Sequence, residues 1–187
     1  MFRLIKNLIL LGIVFLLGYL FGIKEIKFFR ITSSSMEPTL NIDDKIISEK
    51  VKNIQRKDIV VLYAPEGKKE VLVKRVIGLP GEKIEVKNGY VYINGELMEE
   101  KYIKEKPTYE LEETEIPPDS YFLLGDNRNE SEDSSTWGPV QKDFIIGKVI
   151  CRYSPFRKFR IFWIKMARAR YKILIKGRVQ GVGFRPT

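Results

Sequence analysis

Residues 7–23 carry no charged side chain, and their sequence, NLILLGIVFLLGYLFGI, is apolar on every face of a helix. As a helix this segment rises about 25 Å, slightly less than the roughly 30 Å hydrocarbon core of a bilayer. Lys6 and Lys24 lie at its two ends, where long basic side chains can reach the membrane interface. The pattern predicts a membrane anchor over residues 1–27. A cleaved signal peptide is the competing interpretation, but the following sequence KEIK offers no small-x-small cleavage site.

The positive charge of the chain is concentrated in its last fifth. The net charge is +9, yet residues 152–187 contain 11 Lys and Arg and no Asp or Glu, which leaves 22 basic against 24 acidic side chains elsewhere. A polybasic segment of this kind can contact anionic lipid. The chain has no base-reading motif or aromatic stacking pattern, so we expect no nucleic-acid partner. Basic residues flank the predicted anchor on both sides, and charge alone therefore does not orient it.

The sequence contains no histidine and one cysteine, Cys151. The absence of histidine excludes Ser-His-Asp and Cys-His mechanisms and most zinc sites. Covalent catalysis would therefore need a lysine, a carboxylate or a terminal amine as its base. A single cysteine excludes an intrachain disulfide, and we interpret Cys151 as a small side chain packed inside a strand.

From about residue 28 onward, short β-branched runs replace the helical pattern. Asn-Gly pairs at residues 88–89 and 94–95 interrupt an alternating sequence and predict a meander over residues 82–98. Further strands are predicted at residues 57–63, 71–79, 121–124 and 144–153. The fold class predicted is mainly β: a compact antiparallel β domain over residues 28–160, preceded by one transmembrane helix at about residues 7–23.

Polar residues at three places in the predicted domain are candidates for chemistry. Ser33 and Ser35 lie two residues apart, so an extended backbone would point both hydroxyls to one side, one to attack and one to donate to an oxyanion. Lys74 lies among apolar residues, where desolvation favours the neutral amine that a general base needs. Residues 125–134, GDNRNESEDS, suit tight turns. The alternatives are solvated loops for the serines and for residues 125–134, and an edge-strand lysine that reaches solvent.

Together and in this order, these segments resemble the type I signal peptidases, the bacterial leader peptidase family. The resemblance covers the anchor and about residues 31–155, and it rests on four sequence boxes followed by Trp137-Gly138. The boxes are SMEPTL at 35–40, RKDIVV at 56–61, KRVIGLPG at 74–81 and GDNRNESEDS at 125–134. The stretch from residue 82 to residue 121 is short, so we expect the large inserted β domain of some family members to be absent.

Three positions depart from the common pattern of the family. Ser34 replaces the usual glycine, Glu82 the usual aspartate, and Ser135 a basic residue that often follows the Asp-Ser pair. The change at Ser135 puts in doubt any salt bridge that a basic residue would make around Asp126 or Asp133. None of the three changes removes a side chain to which the resemblance assigns chemistry.

The resemblance implies a role for each candidate residue. Ser35 would be the nucleophile and Lys74 the general base, with the Ser33 hydroxyl and the Ser35 N–H as the oxyanion hole. Ser131 would orient the lysine amine, and Asp133 would support that loop. No metal or cofactor is implied. The substrate cleft, which in the family accepts small side chains at the first and third positions before the cut, would be built with Met36, Pro38, Asp58, Ile59 and Val60.

The function implied by the resemblance is removal of N-terminal signal peptides from secreted preproteins. The anchor would cross the cell membrane once, with the catalytic domain on the extracytoplasmic face, so the expected partners are preproteins and the lipid bilayer. The oligomeric state stays open. A specialised maturation peptidase for pilins or conjugation also stays open. A self-cleaving repressor-type protein with the same chemistry would need a DNA-binding module where the anchor lies. The complete set of Ser33, Ser35, Lys74 and Ser131 argues against a catalytically inactive scaffold.

Residues 161–187 form a basic tail of different character. From Met166 the sequence resembles the beginning of an acylphosphatase, in which a Gly-rich loop, here GRVQGVGFR, cradles phosphate and its arginine, here Arg185, binds it. The catalytic asparagine of that family and most of its sheet would lie beyond Thr187. We therefore expect no acylphosphatase activity, and we expect the tail to be poorly ordered and dispensable.

Overall fold

The computed structural model of the protein describes residues 2–23, 25–50, 53–65 and 70–162. The acylphosphatase-like segment at residues 166–187 lies outside these ranges, and so do the expectations about its order. The described part begins with one long helix and continues as antiparallel strands joined by turns. The predicted mainly β class is confirmed.

The N-terminal helix α1 (Phe2–Ile23) contains the charge-free segment that the sequence singled out. Large apolar side chains between Ile5 and Leu16 are exposed along it, and Phe15 is 73% exposed. Among the residues described, none of the helices combines the length and the mean hydropathy that a membrane span requires.

The strands between residues 26 and 161 are short, apart from two. Their bounds are β1 (Ile26–Arg30), β2 (Lys45–Glu49), β3 (Ile59–Tyr63), β4 (Val71–Gly78), β5 (Lys83–Lys87), β6 (Tyr90–Ile93), β7 (Glu96–Leu97), β8 (Leu111–Glu115), β9 (Ser120–Leu124), β10 (Val140–Gln141), β11 (Ile145–Ser154) and β12 (Arg160–Ile161). The described strands form two antiparallel sheets. The larger has the order β1-β2-β11-β3-β4-β9-β10, with β12 also paired to β11, and the smaller has the order β7-β6-β5-β8.

The smaller sheet contains the predicted meander. Asn88 and Gly89 have φ of 54° and 77°, and Asn94 and Gly95 have φ of 51° and 79°. Two successive positive φ angles are the signature of the type I′ turn, which joins adjacent strands with the correct twist. The two Asn-Gly hairpins are therefore confirmed.

Two apolar clusters position the parts of the fold that matter for the site. One lies between the two sheets and contains Ile77 and Phe122 from the larger sheet and Ile84 and Val86 from the smaller. The other contains Met36 and Leu40, packed against Ile46, Ile59 and Val149. Burial of a Met or Leu side chain contributes about 1.5–3 kcal/mol, so this second cluster fixes the turn that follows Ser35 onto the sheet.

The larger sheet extends slightly beyond the predicted end of the β domain at residue 160. Ile161 pairs with Cys151 across β11 and β12, and Phe162 packs against the cluster around Met36. Cys151 is half-buried within β11.

Candidate active site

Ser33 and Ser35 lie in a bend and a turn rather than in the extended segment that the sequence argument assumed. Their Oγ atoms are 3.2 Å apart, within hydrogen-bonding distance. Ser35 is buried, at 7% exposure, whereas Ser33 is exposed. The Leu40 N–H donates to the Met36 carbonyl at 2.9 Å, and both side chains are buried in the sheet cluster. A packed turn therefore brings the two hydroxyls together, rather than the alternating direction of side chains along a strand.

Lys74 lies on β4, an internal strand between β3 and β9, and its side chain is buried, at 2% exposure. The alternative of an edge-strand lysine that reaches solvent is thereby excluded. Its Nζ donates a hydrogen bond to Ser131 Oγ at 2.9 Å. Burial lowers the pKa of Lys74 from 10.5 to about 8, against the opposing charges of Asp133, Glu132 and Glu70.

Asp133 supports the loop that carries Ser131. It is buried, and its Oδ2 accepts a hydrogen bond from the Gly125 N–H at 2.8 Å. Its Oδ1 accepts from the Ser135 N–H at 3.0 Å and from Ser135 Oγ at 2.8 Å, which caps the short helix α2 (Ser134–Trp137). The Ser135 hydroxyl thus contacts the carboxylate at the position where the family commonly has a basic residue.

Gly125 allows the Ser131 loop to approach the Ser35 turn closely. A Cβ at this position would contact Ser131 Oγ and would lie 2.6 Å from Ser131 Cβ and 2.5 Å from the Ser35 carbonyl oxygen. The Asn127 N–H donates to the same Ser35 carbonyl at 3.0 Å. The loop therefore contacts both the turn that holds Ser35 and the amine of Lys74. Among the described residues, however, no hydrogen bond joins Lys74 Nζ directly to Ser35 Oγ.

Two buried ion pairs hold these segments together. Arg75, next to Lys74 in sequence, donates to both carboxylate oxygens of Asp126, at 2.7 and 2.6 Å. Thr39 Oγ1 also donates to Asp126, at 2.5 Å, so the residues that follow Ser35 are connected to β4 through one carboxylate. Asp126 thus has a salt bridge that does not depend on Ser135.

The second ion pair joins Arg128 to Glu100, from the connection between β7 and β8. Arg128 donates two hydrogen bonds to the Glu100 carboxylate, at 2.9 and 2.5 Å, and a third to the Gly125 carbonyl at 3.1 Å. Tyr102 donates its hydroxyl to Glu100 at 2.7 Å, and burial raises the pKa of this tyrosine well above its usual range. The sequence did not single out Glu100, because its partner lies 28 residues away.

A small cavity of about 200 Å³ opens beside the serines. Ser33, Ser35 and Met36 line it, together with apolar side chains that the sequence did not single out: Phe29, Ile31, Leu72 and Val73. Spacing could have indicated the first two, because residues 29, 31 and 33 lie two apart at the end of β1.

The other residues of the predicted cleft lie elsewhere. Pro38, Asp58 and Ile59 line a second cavity that shares no lining residue with the first. Val60 is fully buried in the core and pairs with Lys74 across β3 and β4. Met36 is thus the member of the predicted cleft set that lines the serine cavity.

The chemistry available at this site is that of hydroxyls and an amine. A buried amine with a pKa of about 8 can accept a proton near neutral pH, and a third hydroxyl, on Ser131, holds it in place. Within the described ranges, no group of three His, Cys, Asp or Glu side chains is arranged to hold a metal ion.

Comparison with known proteins places the chain in a family. Residues 2–154 match the family described as signal peptidase, peptidase S26. "Probable signal peptidase I-2" of Synechocystis sp. is 42% identical over 134 residues, which are 67% of this chain and 62% of that protein. "Signal peptidase I" of Leptolyngbya laminosa is 40% identical over 159 residues, which are 79% of this chain and 77% of that protein. A crystal structure of a signal peptidase I from Enterococcus faecalis has 32% identity and a TM-score of 0.48, and covers 53% of this chain and 98% of that one.

The chain therefore belongs to the signal peptidase family, peptidase S26, and with it to the serine endopeptidases. The resemblance inferred from the four sequence boxes is confirmed. The chain spans less than two thirds of the length of the Synechocystis relative and more than three quarters of that of the Leptolyngbya relative.

Proposed function

We propose that this protein is a membrane-bound endopeptidase that removes N-terminal signal peptides from secreted preproteins, with Ser35 as nucleophile and Lys74 as general base. The observation that carries the proposal is the buried amine of Lys74, hydrogen-bonded to Ser131 and with its pKa lowered to about 8. A catalytic base works best when its pKa lies near the operating pH. With no histidine in the chain, a lysine in this state is well suited to activate a serine.

Acylation begins when neutral Lys74 takes the proton of Ser35 Oγ as that oxygen attacks the scissile carbonyl. The Ser35 side chain turns toward the amine in this step, since hydrogen bonds of catalytic groups tighten once substrate is bound. The Ser35 N–H and the Ser33 hydroxyl donate to the developing oxyanion. Protonated Lys74 then gives its proton to the leaving amine, and the new N-terminus of the mature protein departs.

Deacylation uses the same groups with water as the nucleophile. Lys74 takes a proton from water as the water attacks the acyl-enzyme ester. Protonated Lys74 then gives a proton to Ser35 Oγ as the C–O bond breaks, which regenerates the serine and releases the signal peptide with a free carboxyl group. Ser131 acts through the lysine, because its Oγ lies 2.9 Å from Nζ and restricts where the amine can point. Asp133 acts through the loop that carries Ser131.

The cavity beside the serines is the proposed substrate cleft. Its volume of about 200 Å³ and the apolar side chains among its lining residues suit small side chains at the first and third positions before the cut. Met36 forms one wall. Val60 supports Lys74 by strand pairing, and Ile59 packs in the apolar cluster that holds Met36. Pro38 and Asp58 line the second cavity.

We assign residues 1–27 to a single-pass membrane anchor, residues 28–160 to the catalytic domain and residues 161–187 to a tail without acylphosphatase activity. The charge-free sequence of residues 7–23 and the exposed apolar side chains of α1 support the anchor. The catalytic domain would lie on the extracytoplasmic face. Enzyme and preprotein then share one membrane surface, which raises their effective concentration.

The test is cleavage of an Ala-x-Ala signal-peptide substrate by the full chain in detergent. Ser35→Ala should fold and lose at least about 10⁴-fold in kcat, since loss of a serine nucleophile has effects of this size or greater. Ser34→Ala is the matched control, because Ser34 is a half-buried serine of the same segment, and it should stay within a few-fold of wild type. Retained cleavage by Ser35→Ala would move the nucleophile elsewhere.

Substrate selection gives a separate test of the cleft. Replacing both alanines of the Ala-x-Ala sequence by leucine should abolish cleavage, because the cavity is too small for two branched side chains. Equal cleavage of the two peptides would show that the cavity beside the serines does not select the substrate.

A further inference from the structure

A second and larger cavity, of about 490 Å³, lies at the base of the turn that follows Ser35. Pro38 and Thr39 line it, whereas Ser35 and Met36 line the serine cavity. The proposed reaction places no reacting group in this second cavity. Its size is nevertheless in the range of small-molecule sites, which is about 300–1,000 Å³.

Basic side chains dominate the lining of the second cavity. One acidic side chain, Asp58, faces five basic ones: Lys57, Arg75, Lys101, Lys148 and Arg160. Two of the five, Arg75 and Lys148, are buried, and the other three are exposed. The cavity therefore has cations both within the fold and on its surface.

Ion pairs within the fold leave this excess of positive charge only partly neutralised. Lys148 lies 2.7 Å from Asp58, and Arg75 lies 2.6 Å from Asp126. Lys101 lies 2.9 Å from Glu99. Three of the five lining cations thus have a carboxylate partner, and Lys57 and Arg160 are exposed cations of the same lining.

The residues after Phe162 add only basic side chains to this balance. Residues 163–187, which follow the lining residue Phe162, contain seven Lys or Arg and no Asp or Glu. They therefore have no acidic side chain that could neutralise the cavity. A concave surface lined by one sign of charge concentrates counter-ions of the other sign. The expected occupant is therefore an anion from outside the chain.

The donor groups indicate which class of anion fits. Guanidinium and ammonium groups together are the usual protein ligands of phosphate, the first as a two-pronged donor and the second as a point charge. Arg75 is already engaged within the fold, since it donates to Asp126 and to the Lys57 carbonyl and lies 4.0 Å from the centroid of the Tyr102 ring. The exposed ammonium groups of Lys57 and Lys101 are therefore the point charges open to a ligand. The exposed guanidinium of Arg160 completes the set.

The edge of the cavity is apolar. Ile161 lines it and is 49% exposed, Phe162 lines it beside Ile161, and the nearby Phe159 is 53% exposed. Exposed apolar side chains next to a cationic cavity match a ligand that has a phosphate at one end and acyl chains at the other.

We propose that the second cavity binds a phosphate-bearing anion, and that its source is the headgroup of an anionic phospholipid. The site is separate from the serine cavity, so the proposal does not depend on the peptidase mechanism. A free phosphate or phosphate ester would use the same cations, and the experiment below distinguishes the two sources.

The probes are inorganic phosphate, dihexanoylphosphatidylglycerol and dihexanoylphosphatidylcholine, each titrated at constant ionic strength into the full chain in a non-ionic detergent. These short-chain lipids dissolve as monomers, so insertion of the N-terminal helix into a bilayer does not contribute. Binding is read from the saturable rise in the thermal unfolding temperature.

The cavity variant removes the three exposed cations. Its substitutions are Lys57→Gln, Lys101→Gln and Arg160→Gln. The control variant removes three exposed cations from the smaller sheet and its connection to β8. Its substitutions are Lys83→Gln, Lys87→Gln and Lys106→Gln. The two variants change the net charge equally, and neither touches a group assigned to the cleavage reaction.

We expect phosphatidylglycerol to bind saturably, the cavity variant to weaken this binding at least about tenfold, and the control to stay within about twofold. Inorganic phosphate could instead bind as tightly as the lipid and with the same dependence on the three cations. The anion site would then stand, with free phosphate rather than a lipid headgroup as its ligand. Any of three results would overturn the proposal. They are no saturable shift of the unfolding temperature with either anion, an equal loss of phosphatidylglycerol affinity in both variants, and equal binding of phosphatidylcholine. If the triple variant unfolds without ligand, Arg160→Gln alone takes its place, with line broadening of the ³¹P signal as the measurement.

Discussion

Cleavage by this protein should rise with pH through about 8, because Lys74 must be neutral to accept the proton of Ser35. Burial lowers the pKa of the Lys74 amine from 10.5 to about 8. The neutral fraction of an amine with that pKa is about one eleventh at pH 7 and about ten elevenths at pH 9. The value of kcat/KM should therefore increase about tenfold between pH 7 and pH 9 and then level off.

The ordinary lysine pKa gives a different curve. With a pKa of 10.5 the neutral fraction would increase about a hundredfold from pH 7 to pH 9 and would still be rising at pH 10. The size of the increase and the presence of a plateau thus separate a buried amine from a solvated one. This pH dependence is expected for kcat/KM, which reports on groups of the free enzyme.

The assay follows kcat/KM for a fluorogenic Ala-x-Ala peptide in detergent between pH 6 and pH 10. Ser34→Ala should reproduce the wild-type profile, since Ser34 donates no proton in the reaction. A rise of about a hundredfold without a plateau would refute the burial argument. A rate that does not change between pH 7 and pH 9 would refute lysine as the base.

Three further substitutions test the packing around the site by urea unfolding. Lys74→Met should raise the free energy of unfolding at pH 7 by about 2 kcal/mol, because removing the cost of a buried charge outweighs the loss of one hydrogen bond. Gly125→Ala should lower it by about 1–3 kcal/mol and reduce cleavage at least about tenfold, because the new Cβ would lie 2.5 Å from the Ser35 carbonyl oxygen. Glu100→Gln should lower it by about 3–5 kcal/mol, because Arg128, at 0% side-chain exposure, would lose its carboxylate.

Each of these expectations has a clear contrary result. Destabilisation by Lys74→Met would mean that the amine is not desolvated in the folded state. Wild-type stability of Gly125→Ala or Glu100→Gln would show that the loop is less closely packed than its contacts indicate.

The same amine gives stability a pH dependence. Between pH 8 and 10.5 the folded state with native Lys74 binds fewer protons than the unfolded state, so the free energy of unfolding should rise with pH over that window. Lys74→Met should lack this rise.

Local sequence patterns predicted much of the sheet structure. The Asn-Gly pairs identified both hairpins of the smaller sheet, since successive positive φ angles favour these residues. The β-branched runs identified β3, β4 and β11, and the apolar run at residues 121–124 identified β9. The edge strand β8 was not predicted because its sequence, LEETE, is rich in glutamate, which is depleted in strands.

The site was only partly predictable, because its contacts join segments far apart in the chain. The apolar neighbours of Lys74 indicated its burial, and the spacing of Ser33 and Ser35 indicated that their hydroxyls meet, although a turn rather than a strand brings this about. The contact of Arg128 with Glu100 depends on how the smaller sheet packs on the larger one. No local pattern contains that information.

The same limit applies to the cleft. The resemblance assigned Pro38, Asp58 and Ile59 to it because they belong to the sequence boxes, but the folded chain places them around the second cavity. Phe29 and Ile31 line the serine cavity although they precede the first box.

Locating the acyl group during turnover shows directly whether Ser35 is the nucleophile and Lys74 its base. Wild type and Lys74→Arg are each mixed with an Ala-x-Ala peptide ester, quenched in acid within the first turnover, digested and analysed by mass spectrometry. Arginine keeps the positive charge but does not deprotonate, so it cannot act as the base. Wild type should carry an acyl adduct on Ser35, and Lys74→Arg should carry none. An adduct on another residue, or an equal yield on Ser35 in Lys74→Arg, would refute the roles assigned to Ser35 and Lys74.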